Sequence, residues 1–392
     1  MESDRRAFLQ QSLAAAPLFI PRKAWGANDK PAYGVIATGG RGRYLNVEFL
    51  KAGAECAALC DVYEPNLEKA KADAPNAKTY VDYHELLEQK GLDFVVLAGP
   101  DHHHCPMLLA SLKAGKDVYA EKPLSKTLAE SKTMIDAVRQ SNKVVQIGMQ
   151  RRSAPALYEA KKIIDEGVLG RVTQVKPQWH WNYAKPLNNS PLPGKLDWER
   201  FLGSAPQREL EPMRFRYWRY FWDYAGGNMT DQGTHLMDVV LWFMNAEPPR
   251  SAIMQGYVAK ATGSEHPEVF CSVFEMKDFM VTWELNYCSA YENDWSITFL
   301  GDEGTLVLDG QGYRVYKEPW PKNKVPFMEK EAPVPLQAHI TNFLECIKTR
   351  KDPNCTVEIA ARAVSGPHLA NLSFRKGRKA MLAPDLVQVS YA

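Results

Sequence analysis

The sequence predicts an α/β protein in two parts: an N-terminal doubly wound parallel sheet, and a C-terminal α+β domain whose sheet is open-faced and mainly antiparallel. Short apolar runs alternate with segments of helical period as far as Gly148. From Ser251 onward, apolar and polar residues alternate with period two between turns. The length of 392 residues also exceeds one typical core. We therefore expect domains at residues 28–149 and 150–392.

The segment from Tyr33 to Asp61 predicts a strand, a glycine-rich turn, a helix and a second strand. Residues 33–38 are a short apolar run of the buried-strand kind, and residues 44–52 continue with helical spacing. The turn between them reads Gly39-Gly40-Arg41-Gly42, and a second apolar run at 55–59 leads to Asp61. Dinucleotide-binding proteins place a turn, a helix and an acid in this order.

The turn and the acid supply what a dinucleotide needs. A pyrophosphate requires close approach of the backbone and free N–H groups at a helix N-terminus, and the ribose hydroxyls require a carboxylate. Gly39, Gly42 and Asp61 fit these roles, although Ala37 stands where the usual G-x-G-x-x-G has its first glycine. An ordinary βα turn is the alternative interpretation.

Nearby charges bear on which dinucleotide binds. Asp61 would repel a 2′-phosphate, so the sequence predicts NAD. Arg41 and Arg43 leave NADP open, because an arginine near the turn can accommodate that phosphate.

Polar residues follow two later strands of the first domain. Pro100, Asp101 and His102 come after one strand, and Glu121 and Lys122 come after the next. Ligands bind beyond the carboxyl ends of the strands in an open parallel sheet, so Lys122 is placed where chemistry would occur. The strands predicted after Asp61 are 78–80, 94–98, 117–120 and 144–148, and the helices are 65–74, 83–90, 106–114 and 125–141.

The second domain begins with a predicted helix at 155–166 and a strand at 172–181. A long irregular stretch, rich in proline and aromatic residues, then runs to Tyr224. Further strands are predicted at 251–259, 268–276, 279–287, 295–300, 304–308 and 313–316, and closing helices at 339–350 and 358–375.

A run from Gly226 to Asp238 leads into an apolar helix at 239–244. Asp231 and His235 are four residues apart, which places both on one face of that helix. A histidine with a nearby carboxylate is the usual means of taking a proton from an alcohol near neutral pH. The alternative is a buried helix histidine that a local acid satisfies.

Composition narrows the classes of partner. A net charge of +2 with 24% charged residues gives no strong field for nucleic acid, and no basic run with interleaved aromatics occurs. Seven cysteines show neither a C-x-x-C pair nor zinc-like spacing, so they are expected in the core or as free thiols.

The first 27 residues resemble a twin-arginine export signal. Arg5 and Arg6 precede a short apolar segment at 12–20, and small residues at Ala24 and Gly26 would suit cleavage before residue 27. This pattern predicts a periplasmic or exported protein. A basic N-terminal arm on a cytoplasmic protein is the alternative, and no other segment has transmembrane length.

Together, these motifs resemble those of the Gfo/Idh/MocA oxidoreductases, which include glucose-fructose oxidoreductase and inositol dehydrogenase. The resemblance covers the chain after about residue 30 and is carried by the glycine turn, Cys60-Asp61, Pro100-Asp101-His102, Glu121-Lys122-Pro123 and the 226–238 run. It implies a Rossmann domain and a C-terminal sheet that commonly mediates homo-oligomerisation, as a dimer or tetramer. It also implies hydride transfer between a carbohydrate carbon and nicotinamide.

The resemblance also implies roles for individual residues. Lys122, Asp231 and His235 match the family's catalytic positions. His235 would remove the hydroxyl proton and Lys122 would stabilise the developing alkoxide, while Asp231 would orient the histidine or balance its charge. The loop of Pro100 and His102 would border the nicotinamide, with Glu121 beside it.

Other polar and aromatic residues have two interpretations each. Arg151 and Arg152 could hold substrate hydroxyls or form an ion pair. Trp179 could stack on a sugar ring, as could Trp181, Trp218 and Trp222, or these aromatics could fill a core. We predict no metal site, because the successive residues 101–104 at a helix start do not face one point.

Three functions are compatible with these motifs. The first is an NAD(P)-dependent oxidoreductase acting on a secondary hydroxyl of a sugar, glycoside or cyclitol, with a tightly bound cofactor. The second is a glycoside hydrolase or epimerase that works through a transient keto-sugar with no net redox change. The third is a silent NAD-binding protein, against which Lys122 and His235 argue.

Overall fold

Six parallel strands form the N-terminal sheet of the computed structural model, which describes residues 30–392. In chain order they are β1 (Ala32–Ile36), β2 (Glu55–Cys60), β3 (Lys78–Tyr80), β4 (Phe94–Leu97), β5 (Asp117–Ala120) and β6 (Val145–Ile147). Their order across the sheet is β3-β2-β1-β4-β5-β6, and every neighbouring pair is parallel. The predicted doubly wound sheet is confirmed.

Five helices connect these strands: α1 (Gly40–Lys51), α2 (Glu64–Asp73), α3 (Tyr83–Glu88), α4 (Asp101–Lys113) and α5 (Leu128–Gln140). Two of them begin about one helical turn earlier than the sequence predicts. Helix α1 begins at Gly40 inside the glycine turn, and α4 begins at Asp101 and contains Pro106. In α4, burial of residues 101–105 outweighs the one backbone hydrogen bond that the proline removes.

Ten strands form the C-terminal sheet: β7 (Val172–His180), β8 (Ser251–Tyr257), β9 (Val269–Glu275), β10 (Met280–Asn286), β11 (Asp294–Gly301), β12 (Gly304–Asp309), β13 (Gly312–Lys317), β14 (Met328–Glu331), β15 (Ala380–Leu382) and β16 (Val389–Tyr391). Their order is β14-β13-β12-β11-β7-β10-β9-β8-β15-β16. Only β7 and β10 pair in parallel, so the mainly antiparallel prediction is confirmed. Strands β14 to β16 were not predicted.

The second part contains the helices α6 (Pro155–Asp165), α7 (Trp198–Leu202), α8 (Pro212–Arg216), α9 (Gly227–Phe243), α10 (Leu336–Thr349) and α11 (Val357–Lys376), and 3-10 helices at Gln150–Ser153 and Trp218–Tyr220. Helix α9 begins at Gly227, twelve residues before the predicted apolar helix at 239–244. Nearly all of its residues are buried, so packing on every side sustains a helix through its glycines.

The ten-stranded sheet buries one face and leaves the other open. Helices α9 and α11 pack against each other, α9 against β7 and α11 against β8. On the opposite face, Ile253 and Val273 lie side by side on β8 and β9 and are 45% and 36% exposed. This is the open-faced arrangement that the sequence predicts.

Helix α11 belongs to both hydrophobic cores. Its first half, including Ala360 and Val364, packs in the core of the parallel sheet. Its second half, including Leu369 and Ala370, packs in the core of the ten-stranded sheet. Residues 31–392 accordingly form one compact unit.

Within residues 30–392, no helix combines the length and apolarity that a membrane crossing requires. The predicted export signal lies outside the described residues.

Candidate active site

A cleft of about 560 Å³ opens at the carboxyl ends of the parallel strands. One wall comes from the Rossmann half and contains Ala37, Gly39, Gly40 and Asp61. The opposite wall comes from the irregular stretch between β7 and α9, where Phe201, Phe215, Arg216, Trp218 and Arg219 line it. The cleft therefore has the position that a dinucleotide takes in doubly wound proteins.

The glycine turn fits a pyrophosphate. Helix α1 starts at Gly40, and its N-cap, Gly39, offers no side-chain acceptor, so the first backbone N–H groups have no cap. A Cβ at Gly42 would lie 2.0 Å from the Ala37 oxygen, which only glycine avoids. Ala37 has a φ of 69°, the left-handed conformation that explains why a glycine is usual there.

Asp61 is fixed by donors from its own chain. Its carboxylate accepts hydrogen bonds from the backbone N–H groups of Thr38 at 2.7 Å and Tyr63 at 2.8 Å, and from the Asn66 amide at 3.3 Å. Burial raises the pKa of Asp61 to about 6, while these donors limit the rise. Only the Tyr63 bond falls on Oδ1, so this oxygen keeps acceptor capacity for a ribose hydroxyl.

Arg41 and Arg43, which could accommodate the 2′-phosphate of NADP, both form ion pairs with acids of this chain. The Arg41 Nε donates to Glu121 Oε1 at 2.7 Å, and Arg43 forms an ion pair with Asp73. Arg41 therefore lies against the carboxyl end of β5 and is not beside Asp61. Glu121 is buried and packs against Gly148. A Cβ added at Gly148 would lie 2.8 Å from Glu121 Oε1, so a larger residue there would displace this carboxylate.

Lys122 and Asp231 meet at the carboxyl end of β5. The Lys122 ammonium lies 2.5 Å from Asp231 Oδ1 and also donates to the Asp231 carbonyl at 2.9 Å. Arg219, from the 3-10 helix, lies 3.3 Å from the same carboxylate oxygen. Burial alone would raise the pKa of Asp231, but the charges of Lys122 and Arg219 prevail and hold the pKa well below its usual range. The aspartate is therefore an anion between two cations.

His235 lies one turn further along α9 and is 7% exposed. Burial lowers the pKa of its imidazole well below the usual value, and the charges of Arg151 and Lys122 lower it further. The ring is therefore neutral at neutral pH, the form that accepts a proton. Its Nδ1 is buried without a hydrogen-bond partner, and Asp231 bonds Lys122 and not this ring.

Asp101 is a second buried acid at this centre, 3% exposed at the start of α4. Burial, followed by the negative charge of Asp231, raises the pKa of Asp101 to about 7. Arg219 and Lys122 oppose this rise, so Asp101 belongs to the same group of charges.

The histidines that follow β4 mainly bond backbone carbonyls. His102 Nε2 lies 2.8 Å from the Phe201 oxygen, and its ring packs on Tyr224. Pro100 and His103 line the cleft. The cofactor role implied for His102 stays a prediction, because His103 and not His102 lines the cleft. Within residues 30–392, no three His, Cys, Asp or Glu side chains are grouped so that they could hold a metal ion.

Arg151 and Arg152 have different surroundings. The Arg152 guanidinium makes a bidentate ion pair with buried Asp238, at 2.7 and 2.9 Å to Oδ1. Arg151 lies over the ring of Trp295 at 4.0 Å and near that of Trp179 at 5.7 Å. The geometry thus favours the ion-pair interpretation for Arg152 and leaves Arg151 available to a ligand.

Several buried polar atoms around this centre lack partners. They include the Trp179 indole N–H, the Tyr287 hydroxyl and the Gln232 amide oxygen. The charge of Asp231 acts on the Tyr287 hydroxyl, and Trp179 lies beside Arg151, so these two groups border the Lys122–His235 centre. A ligand with several hydroxyls could satisfy such donors and acceptors.

Three residues of this centre were missed from sequence. Arg219 and Tyr287 lie outside any recognisable motif, and Asp101 lies in the Pro100-Asp101-His102 motif but was assigned no role in the chemistry. The sequence indicates a site position for Asp101 alone, because Asp101 follows a parallel strand as Lys122 does. Arg219 and Tyr287 reach the site only through the packing of distant segments.

Comparison with known proteins agrees with this geometry. The family model described as "Oxidoreductase family, NAD-binding Rossmann fold" matches residues 32–149, and the model described as "Oxidoreductase family, C-terminal alpha/beta domain" matches residues 155–390. Levoglucosan dehydrogenase, solved in complex with NADH and levoglucosan, has a TM-score of 0.71 at 17% identity, covering 90% of this chain and 99% of that one. The WlbA dehydrogenase from Bordetella pertussis, in complex with NADH and UDP-GlcNAcA, has a TM-score of 0.70 at 20% identity, covering 91% and 99%.

Sequence relatives match over shorter segments. Inositol 2-dehydrogenase/D-chiro-inositol 3-dehydrogenase of Lactiplantibacillus plantarum is 32% identical over 34% of this chain. Levoglucosan dehydrogenase of Pseudarthrobacter phenanthrenivorans is 29% identical over 45% of this chain. In both cases the match spans 39% of the relative's length. The chain therefore belongs to the Gfo/Idh/MocA oxidoreductase family, with an NAD-binding Rossmann fold followed by the family's C-terminal α/β domain.

Proposed function

We propose that this protein is an NAD-dependent dehydrogenase that oxidises a secondary hydroxyl of a sugar, glycoside or cyclitol. The observation that carries the proposal is the Lys122–Asp231 contact of 2.5 Å with neutral His235 one helical turn away. A neutral imidazole can accept the proton of an alcohol, and a fixed ammonium can stabilise the alkoxide that forms.

Each of the three residues has a different role in the reaction. His235 accepts the hydroxyl proton of the substrate, and the Lys122 ammonium donates a hydrogen bond to the alkoxide oxygen as its charge develops. Asp231 holds Lys122 in position through two hydrogen bonds, at 2.5 and 2.9 Å. Bound NAD would supply the acceptor for the hydride that leaves the adjacent C–H bond of the substrate. The products are a ketone, reduced cofactor and a proton on His235.

The binding surfaces support this assignment. Gly39, Gly40 and the free N-terminus of α1 would hold the pyrophosphate, and Asp61 would hold the ribose. The unpartnered Trp179 indole beside Arg151 and the unpartnered Tyr287 hydroxyl, on which the charge of Asp231 acts, match a substrate rich in hydroxyls. Inositol and levoglucosan, the substrates named for two relatives, are compounds of this kind.

A tightly held cofactor is part of the proposal. The cleft has a second wall of aromatic and arginine residues, including Phe215 and Trp218, which would slow release of the dinucleotide. If the protein is also exported, a closed redox cycle follows as a second candidate function. The ring would be oxidised to a keto-sugar; a substituent would then be eliminated and water added in its place, or the carbon beside the ketone would be inverted; and the same hydride would finally return to the ketone. The sequence pattern of residues 1–27 supports export.

Homo-oligomerisation through the ten-stranded sheet is a further part of the proposal. Its open face carries Ile253 and Val273 side by side, an apolar patch of the kind that a second copy could cover. Sedimentation of the purified protein would measure the state directly.

One experiment tests the function and its alternatives. The purified protein is denatured, and any released dinucleotide is identified by mass. Native protein is then screened with pyranosides, glycosides and inositols for formation of NADH and for bond cleavage. NADH formation supports the dehydrogenase, and cleavage or inversion without added NAD supports the closed cycle. Absence of both, with NAD bound, would support the silent binding protein.

A further inference from the structure

Arg151 differs from the other arginines of the active centre in having no anionic partner. Arg41, Arg152 and Arg219 pair with Glu121, Asp238 and Asp231, respectively. Arg151 is 5% exposed, and within residues 30–392 its guanidinium makes neither an ion pair nor a hydrogen bond. Its Nε is buried without a partner.

The surroundings of Arg151 compensate for little of its lost hydration. Its guanidinium lies over Trp295 at 4.0 Å and near Trp179 at 5.7 Å, and these two tryptophans are paired across β11 and β7. Cation–π contacts stabilise a guanidinium less than a carboxylate with matching hydrogen bonds does. Burial lowers the pKa of Arg151 to about 10, so the group is still charged at neutral pH. The nearby acids are Asp294 and Asp238, and Asp238 is already bound by Arg152.

Arg151 is also close to the residues assigned to chemistry. It lies in the 3-10 helix that follows β6, at the same edge of the parallel sheet as Lys122. After burial, its charge is the largest influence that keeps His235 neutral. A small molecule whose hydroxyl reaches His235 could therefore place a second group on Arg151.

We propose that the substrate carries a carboxylate that Arg151 binds, so that the substrate class is a hexuronate or a glycoside of one. This inference rests on the dehydrogenase function proposed above. The planar fork of a guanidinium matches a carboxylate with two parallel hydrogen bonds, and the paired indoles hold the fork from one side. The oxidised carbon would be a ring carbon bearing a hydroxyl, and the carboxylate takes no part in the redox step.

The test compares sugars that differ only in this charge. The NAD-loaded protein is assayed with D-glucuronate, its neutral methyl ester and D-glucose. The same comparison is made with D-galacturonate, its methyl ester and D-galactose. We expect kcat/KM for the acid to exceed that for the ester about 100-fold, chiefly through KM, since removing one partner of a buried charge pair has effects of this size. Arg151→Met should reduce this preference to within a few-fold, and Arg151→Lys should retain part of it.

A second measurement separates binding from folding. Arg151→Met removes an unpaired buried charge and keeps an unbranched side chain over the indoles, so its melting temperature should equal or exceed that of the wild type. A structural role would instead lower it. Arg139→Met removes an exposed arginine paired with Glu358 and serves as the control, with acid preference unchanged.

The possible failures are distinguishable. If the ester or the neutral sugar is oxidised as well as the acid, and Arg151→Met changes nothing, the carboxylate inference is wrong while the dehydrogenase function stands. An Arg151-dependent preference for a sugar phosphate over the uronate would also overturn it. If no sugar, acidic or neutral, is oxidised, the proposed function fails and this inference fails with it.

Discussion

The carboxylate of Asp231 lies 2.5 Å from the ammonium of Lys122, although 109 positions separate the two residues in the chain. This contact joins the end of β5 to the second turn of α9. Arg219 approaches the same oxygen at 3.3 Å. Asp231 therefore positions the lysine, whereas the family resemblance implied that it orients the histidine one turn later or balances its charge.

Asp231→Asn should lower kcat about 100-fold and destabilise the fold by about 3 kcal/mol, because Lys122 and Arg219 would share a site without an anion. The Lys122 and Asp231 side chains are 15% and 13% exposed, so the range for buried pairs applies. Steady-state kinetics and urea unfolding measure the two effects. Asp136→Asn breaks the exposed pair with Lys132 and should change stability by less than about 0.5 kcal/mol. Equal effects in both variants would contradict the assignment.

His235→Asn should lower the chemical rate by about 100-fold or more while dinucleotide binding stays nearly intact, as expected for loss of a general base. Single-turnover kinetics and titration with NAD measure these quantities. His368→Asn is the matched control, because His368 is also buried but bonds the Ser125 carbonyl. Unchanged chemistry in His235→Asn would return this histidine to a structural role.

The pH dependence of kcat/KM should report the environment of His235. Burial and the charges of Arg151 and Lys122 lower its pKa well below 6.5. A base must be unprotonated, so activity should persist as the pH falls through about 6.5 and decline only below it. An acidic limb at or above the ordinary histidine pKa would show that another group accepts the proton.

Asp61→Asn should weaken NAD binding about tenfold or more and narrow the preference for NAD over NADP. The neutral amide would no longer repel a 2′-phosphate, and its NH₂ group would face the N–H donor of either Thr38 or Tyr63, which donate to different oxygens of Asp61. Calorimetric titration with both dinucleotides is the measurement. Asp73→Asn, which affects only the exposed pair with Arg43, should leave both affinities unchanged.

Ala37→Gly should stabilise the protein by about 0.5–1 kcal/mol, because Ala37 occupies a left-handed conformation that glycine adopts without steric cost. The gain is limited by the greater freedom of glycine in the unfolded chain. Ala52→Gly, at the C-cap of α1 with a φ of −76°, should instead destabilise the protein, because glycine gains freedom in the unfolded chain and relieves no strain there. Denaturant unfolding of the pair gives the sign, and destabilisation in both would refute the account of Ala37.

Asp101→Asn should gain stability relative to the wild type as pH rises. Folding raises the pKa of Asp101 from 3.8 to about 7, so its contribution is fully present below pH 3.8 and is lost as the pH rises to about 7. The neutral amide has no such loss. Between about pH 5 and 7 the difference should grow by at most about 1.4 kcal/mol per pH unit. Melting curves at several pH values measure it, and a constant difference would mean that Asp101 ionises normally.

The sequence by itself determined the layered architecture and the place of the chemistry. Buried parallel strands appear as uninterrupted apolar runs, and half-buried antiparallel strands as alternating ones, because these patterns follow from the local geometry of the backbone. The need for glycine at position 42 was also predicted from the glycine-rich turn, and in the structure Ala37 leaves no room for a Cβ there. Lys122 could be placed because the carboxyl ends of parallel strands share one edge.

Only the tertiary structure decided where helices begin and which charges meet. Helices α4 and α9 extend through proline or glycine because burial outweighs the propensities on which a sequence prediction depends. The partners of Asp231, and the lack of a partner for Arg151, depend on strands and loops far apart in the chain. Pairing between side chains on distant elements follows from how those elements pack, and no local pattern in the sequence encodes it.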